Sequence, residues 1–86
     1  MKKEYIKFKS ELTWTECSEK EGSWIVTHIL KFDHVLVGRI YEDGDGKCDA
    51  RYDWSAPEVQ MDYDALWEAK EWIEHLFLKA VNGKRL

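Results

Sequence analysis

Between Asp64 and Gly83 the chain reads as one amphipathic helix with both ends marked, and that helix limits what the rest can be. Leu66, Ala69, Ile73, Leu76, Phe77 and Ala80 recur at steps of three and four, which gathers them on one face, and Trp72 widens the stripe. Asp64, or Asp62 with a looser start, stands where a side-chain oxygen caps a helix N-terminus. Glu68, Glu71 and Glu74 come early and Lys79 late, as the helix dipole favours, and Asn82-Gly83 supplies a left-handed stop. An apolar stripe of this width needs a partner layer, and the upstream residues read as a sheet.

From Tyr5 to Trp14 the apolar residues Ile6, Phe8, Leu12 and Trp14 share one parity, and Lys7, Lys9, Glu11 and Thr13 the other, the pattern of a strand with one buried face. Thr15 to Ser23 is polar and is expected to be a loop. Trp24 to Phe32, rich in β-branched and aromatic residues, is the second expected strand. Asp33-His34 reads as a two-residue turn, although it lacks the glycine such turns favour. Val35 to Glu42 is the third strand, Asp43-Gly44-Asp45-Gly46 a four-residue turn, and Lys47 to Trp54 the fourth strand. Ser55-Ala56-Pro57 ends the sheet, and Glu58 to Met61 leads into the helix. Counting back from the two turns pairs Arg39 with both His28 and Ala50, and Tyr41 with both Val26 and Cys48, so the turns agree on one face for the third strand. The expected fold is α+β: a four-stranded antiparallel meander with one C-terminal helix packed on one face, ββββα, as a single domain over residues 1–86.

A formal charge of −4 counts against a protein that coats nucleic acid, which needs a surplus of Lys and Arg. Met1-Lys2-Lys3 is not followed by an apolar signal core, and no stretch reaches membrane length, so the expected compartment is the cytoplasm. Cys17 and Cys48 are far apart, and two cysteines are few for a disulfide scaffold, which fits free thiols in a reducing compartment.

The chemistry-bearing residues form no recognised set. Counted from Asp43 as a calcium loop, the fifth, sixth and twelfth positions are Lys47, Cys48 and Trp54, none of which suits its place. His28, His34 and His75 fall on a strand, a turn and a helix, without the short spacings of a zinc site. No cofactor and no metal is expected, and no nucleophile–base pair or phosphate loop supports an enzyme. His28 and Arg39 face each other in the derived register, on the apolar face. Either the helix leaves that point open or a bulge turns them outward, or they form a polar notch beside Tyr41, Tyr52 and Trp54 for an acidic group. On the opposite face Ile25, Ile29, Leu36 and Ile40 form one patch rimmed by charge, the pattern of a protein interface or a two-fold dimer.

The meander, its glycine-rich hairpin and a helix of the form Leu66-x-Glu68-Ala69-Lys70-x-Trp72-Ile73-Glu74 resemble small proteins of bacteriophages and prophages, and also compact anti-CRISPR proteins. The resemblance covers about residues 35–80 and consists of packing residues. It implies a small acidic accessory protein that binds another macromolecule. The expected function is accordingly a non-enzymatic protein–protein interaction module. One form of it is a phage-encoded inhibitor of a host defence protein, acting by surface occlusion or by nucleic-acid mimicry through Glu16, Glu19, Glu21, Asp43, Asp45, Asp49 and Asp53. The alternative is a nucleic-acid-binding accessory protein using Lys2, Lys3, Lys7, Lys9, Lys84 and Arg85.

Overall fold

The computed structural model describes residues 12–18, 25–54 and 58–82. Five strands, β1 (Thr13–Ser18), β2 (Val26–Phe32), β3 (Val35–Glu42), β4 (Cys48–Tyr52) and β5 (Val59–Tyr63), precede one helix, α1 (Leu66–Asn82). The strands form one antiparallel sheet in chain order, β1-β2-β3-β4-β5, with α1 on one face. The fold is α+β as the sequence indicates, with a strand more than expected. That strand is the segment read as a lead into the helix: Val59, Met61 and Tyr63 alternate with Gln60 and Asp62, a strand period that the short run conceals. At the other edge, β1 runs through Thr15–Ser18, expected as loop. The expected strand over residues 5–11 lies outside the described residues.

Asp33 and His34 both have positive φ, 55° and 67°, so the β2–β3 turn is of the two-residue mirror-image kind without glycine. Next to it the expected register holds, with Phe32 opposite Val35 and Lys31 opposite Leu36. It then shifts: Leu30 pairs with Gly38, leaving Val37 as an extra residue in β3. The Val37 carbonyl is not orphaned, since it accepts from the backbone N–H groups of Asp53 at 2.8 Å and Trp54 at 3.1 Å. On the far side Glu42 pairs with Cys48 rather than Lys47, which lengthens the second turn to residues 43–47. Both departures move the pairing of β3 by one residue. The two turns therefore agreed with each other while sharing one error, and beyond Val37 the strand shows the opposite faces from those expected.

Gly38, Ile40 and Glu42 consequently face the helix with Leu30, His28 and Val26 of β2 and Tyr52, Ala50 and Cys48 of β4. Ala69, Ile73 and Phe77, one turn apart on α1, close the core from above. Phe77 packs against Phe32 and, edge to face, against Trp54, with ring centroids 5.6 and 4.9 Å away. At the β1 side the Trp14 indole N–H donates to Glu74 at 2.7 Å, a tie between helix and sheet. The N–H of Ala69 donates to the carbonyl of Ala65, so Ala65, one residue after Asp64, occupies the cap position. Among the described residues no helix is long and apolar enough to cross a membrane.

Candidate functional site

The expected aliphatic patch does not form. Ile40 is fully buried under the helix, because the bulge at Val37 turned it over. In its place the outer face of β3 presents Arg39 and Tyr41. Ile29 and Leu36 remain half-buried on that face, with Ile29 directly opposite Arg39, and Ile25 lies exposed at the sheet's end.

What occupies the outer face is a charge lattice. Arg39 donates through Nε and Nη2 to the two oxygens of Asp53, at 2.9 and 2.8 Å. It also donates to Glu58 at 2.7 Å and to the Tyr41 hydroxyl at 2.8 Å. Arg51 donates to Asp49 at 3.1 Å, and the Gln60 amide bridges Asp49 and Asp62 at 3.0 and 2.7 Å. The two guanidinium groups lie 5.8 and 5.6 Å from the centre of the Tyr41 ring. Hydrogen bonding to Asp53 raises the Arg39 pKa. Burial alone would push Asp53 up, but hydrogen bonding and the positive charges of Arg39 and Arg51 hold it below its usual value. Asp49 is lowered likewise, against its own burial, by Arg51 and Gln60.

His28 and Arg39 therefore form no common notch. His28, 2% exposed, lies on the helix-side face. Its Nε2 is 2.9 Å from Glu42 and its Nδ1 3.5 Å from Glu16. This is a satisfied polar insertion in the core, where an unpaired imidazole would be costly. The expected acidic surface is dispersed in the same way. Asp49 and Asp53 are held by arginines, and Asp43 directs one carboxylate oxygen to the backbone N–H groups of Asp45 and Lys47 as a turn former. Asp45 is exposed at the turn, Glu16 faces His28, and Glu19 and Glu21 lie outside the described residues. Among the described residues no three His, Cys, Asp or Glu side chains converge as metal ligands. Cys48 is a free buried thiol pushed up to about 11 by burial, with Glu42 and Asp43 adding to the effect, so it stays protonated and packs as a small hydrophobe.

The exposed apolar surface lies instead at the β5 edge. Register places Val59 and Met61 on the helix side, opposite buried Tyr52 and Ala50, yet they are 43% and 46% exposed. Among the described residues nothing pairs with the outer edge of β5. Where β5 turns into α1, Tyr63, Trp67, Glu68, Glu71, Trp72 and His75 line an open hollow of about 340 Å³. Trp67, 68% exposed, is the most exposed large apolar side chain described, while Tyr63 and Trp72 back the hollow with ring centroids 6.1 Å apart. The flank towards α1 is acidic: Asp62, Asp64 and Glu68 fall between Gln60 and Lys70 with no Lys or Arg among them, whereas Asp53 and Glu58 are bonded to Arg39. An edge unpaired among the described residues, an apolar strip, an aromatic hollow and an acidic flank thus meet at one place.

Comparison with family models, with curated proteins and with solved structures finds no match to this chain.

Proposed function

We propose that this protein is a non-enzymatic protein-interaction module that takes an extended segment of its partner as an added strand along β5. The observation that carries the reading is the coincidence of a strand edge left unpaired among the described residues with an exposed apolar strip, Val59 and Met61, that ends at exposed Trp67. Strand addition supplies affinity through main-chain hydrogen bonds and specificity through alternate side chains. Here one set of side chains covers Val59 and Met61 and reaches the hollow of Tyr63, Trp67 and Trp72. The other set meets Gln60 and the Asp62 carboxylate, so the favoured segment alternates apolar with basic residues. Trp is the residue type that most often anchors such contacts. An accessory or inhibitory role of the kind seen in small phage proteins would act here by occluding whatever the captured segment otherwise engages. Nucleic-acid binding is the weaker reading, since Arg39 and Arg51 are engaged by carboxylates.

Selection from a displayed library of random peptides on the immobilised protein tests the reading. Enriched sequences should alternate apolar and basic residues, and should bind Trp67→Ala and Met61→Lys about tenfold or more weakly. Enriched sequences that lack the alternation, or that bind both variants as well as the parent, overturn it.

A further inference from the structure

We infer that the hollow where β5 turns into α1 is a binding site for an alkylated ammonium group, a positive charge wrapped in methyl or methylene groups. The inference does not depend on strand capture, since it needs only the side chains that line the hollow. Tyr63, Trp67 and Trp72 border it with Glu68, Glu71 and His75, and no Lys or Arg lines it among the described residues. On α1, Trp67 and Glu71 are one turn apart, and so are Glu68 and Trp72. Around the helix the two acids therefore fall between the two indoles. Tyr63, the last residue of β5, closes the side next to Trp72. Their ring planes stand at 51° with centroids 6.1 Å apart, so the rings do not stack and neither hides the other's face. Glu68 is half-buried beside them. Burial and, second, the negative charge of Glu68 push the Tyr63 hydroxyl pKa up, which places that carboxylate's charge within reach of the hollow's own ring.

This combination selects one kind of cation. Aromatic faces carry negative potential and attract a positive charge within about 6 Å of the ring centre, Trp most strongly. A bare ammonium is strongly hydrated and gives up its water reluctantly. For metal ions, no three ligating side chains converge among the described residues. An alkylated ammonium is different: its charge is diffuse, and its carbon surface gains by leaving water for the rings. Trp67, 68% exposed, has most of its own apolar surface left for such a contact. The carboxylate of Glu68 adds attraction and offsets the positive end of the α1 dipole in the helix's first turn. At about 340 Å³ the hollow stands at the small end of ligand sites, about 300–1,000 Å³, which suits a small head group.

Titration of the full-length chain followed by the indole N–H signals in NMR tests the site, at pH 8 where histidine side chains are generally neutral. Choline chloride should shift the Trp67 and Trp72 signals saturably, and sodium chloride at equal ionic strength should not. 3,3-Dimethylbutan-1-ol has the shape of choline with carbon in place of nitrogen, and should bind about fivefold or more weakly. Trp67→Ala, read on the Trp72 signal, should weaken choline binding about fivefold or more, and Glu68→Gln about threefold, with circular dichroism as the folding control. The same head group occurs on free small molecules and on methylated lysine side chains. N-acetyl-trimethyllysine methylamide, titrated beside choline, separates these sources, and saturation by either supports the site. No saturable shift with either ammonium, a neutral isostere that binds as well, tighter binding of methylguanidinium, or undiminished binding by both folded variants overturns the inference. If ammonium binding fails while selected peptides still protect β5, strand capture stands and only this site is wrong. If the peptides fail and the ammonium binds, the capture reading alone is lost.

Discussion

Gly38 and Ile73 meet where the helix comes closest to the sheet: a Cβ built on Gly38 would lie 2.7 Å from Ile73 Cγ2 and 3.0 Å from the Arg51 carbonyl oxygen. The space a side chain would take is filled by Ile73, so the glycine sets the distance between the two layers. Gly38→Ala should cost about 1–3 kcal/mol through overpacking. The cost should shrink in an Ile73→Ala background, because the nearest atom has gone, and denaturant melts of the four proteins of this cycle measure that coupling. Additive losses would mean that the two residues do not touch.

Tyr52 poses the opposite problem. It is 4% exposed, and its hydroxyl has no hydrogen-bond partner among the described residues. Burial also pushes its pKa up, as expected for a phenol sealed in an apolar layer. Removing an unpaired buried hydroxyl removes a desolvation cost of about 1–3 kcal/mol, so Tyr52→Phe should melt at the same temperature or higher. A clear loss of stability would reveal a partner for that oxygen.

The arginine lattice gives stability a definite pH dependence. Asp53 and Asp49 ionise below their ordinary 3.8 when folded, so the folded state binds fewer protons than the unfolded state just below that value. Their contribution is complete above the ordinary value and is lost as pH falls through the lower folded values. Asp53→Asn breaks a two-point contact to Arg39 and should cost about 1.5–3 kcal/mol at neutral pH, with the difference closing in strong acid. Urea melts of parent and variant across this range check it. An equal difference at both ends would show that the loss is one of packing.

At the first hairpin, Asp33 and His34 hold positive φ without glycine. Replacing His34 by Gly relieves a conformation that side chains disfavour, and should stabilise the chain by about 0.5–1 kcal/mol. A thermal melt that shifts downward would mean that the exposed His34 ring makes a contact worth more than the strain.

How much was legible follows from these same residues. The α1 stripe was readable because Ala69, Ile73 and Phe77 repeat over several turns, and the face of β4 because Cys48, Ala50 and Tyr52 alternate unbroken with Asp49 and Arg51. The second half of β3 was not, because one bulged residue inverts every side chain beyond it. A trace remained in the sequence: Gly38 stands mid-strand, and the apolar positions step from Val37 to Ile40, three residues rather than two. That inversion removed Ile40 from the proposed patch and separated Arg39 from His28. β5 was hidden for another reason. Its alternation spans only Val59 to Tyr63, beside a strong helix signal, and its exposed Val59 and Met61 become meaningful only once pairing shows them to be at an edge.

Recognition of a partner segment at β5, as proposed, is read out by amide hydrogen exchange with and without a peptide enriched in the selection experiment. Protection should rise over Val59–Tyr63 and around Trp67, while the opposite edge, Thr13–Ser18, stays unchanged. Protection appearing on Thr13–Ser18 or on the Arg39–Tyr41 face, with Val59–Tyr63 unaltered, would contradict it.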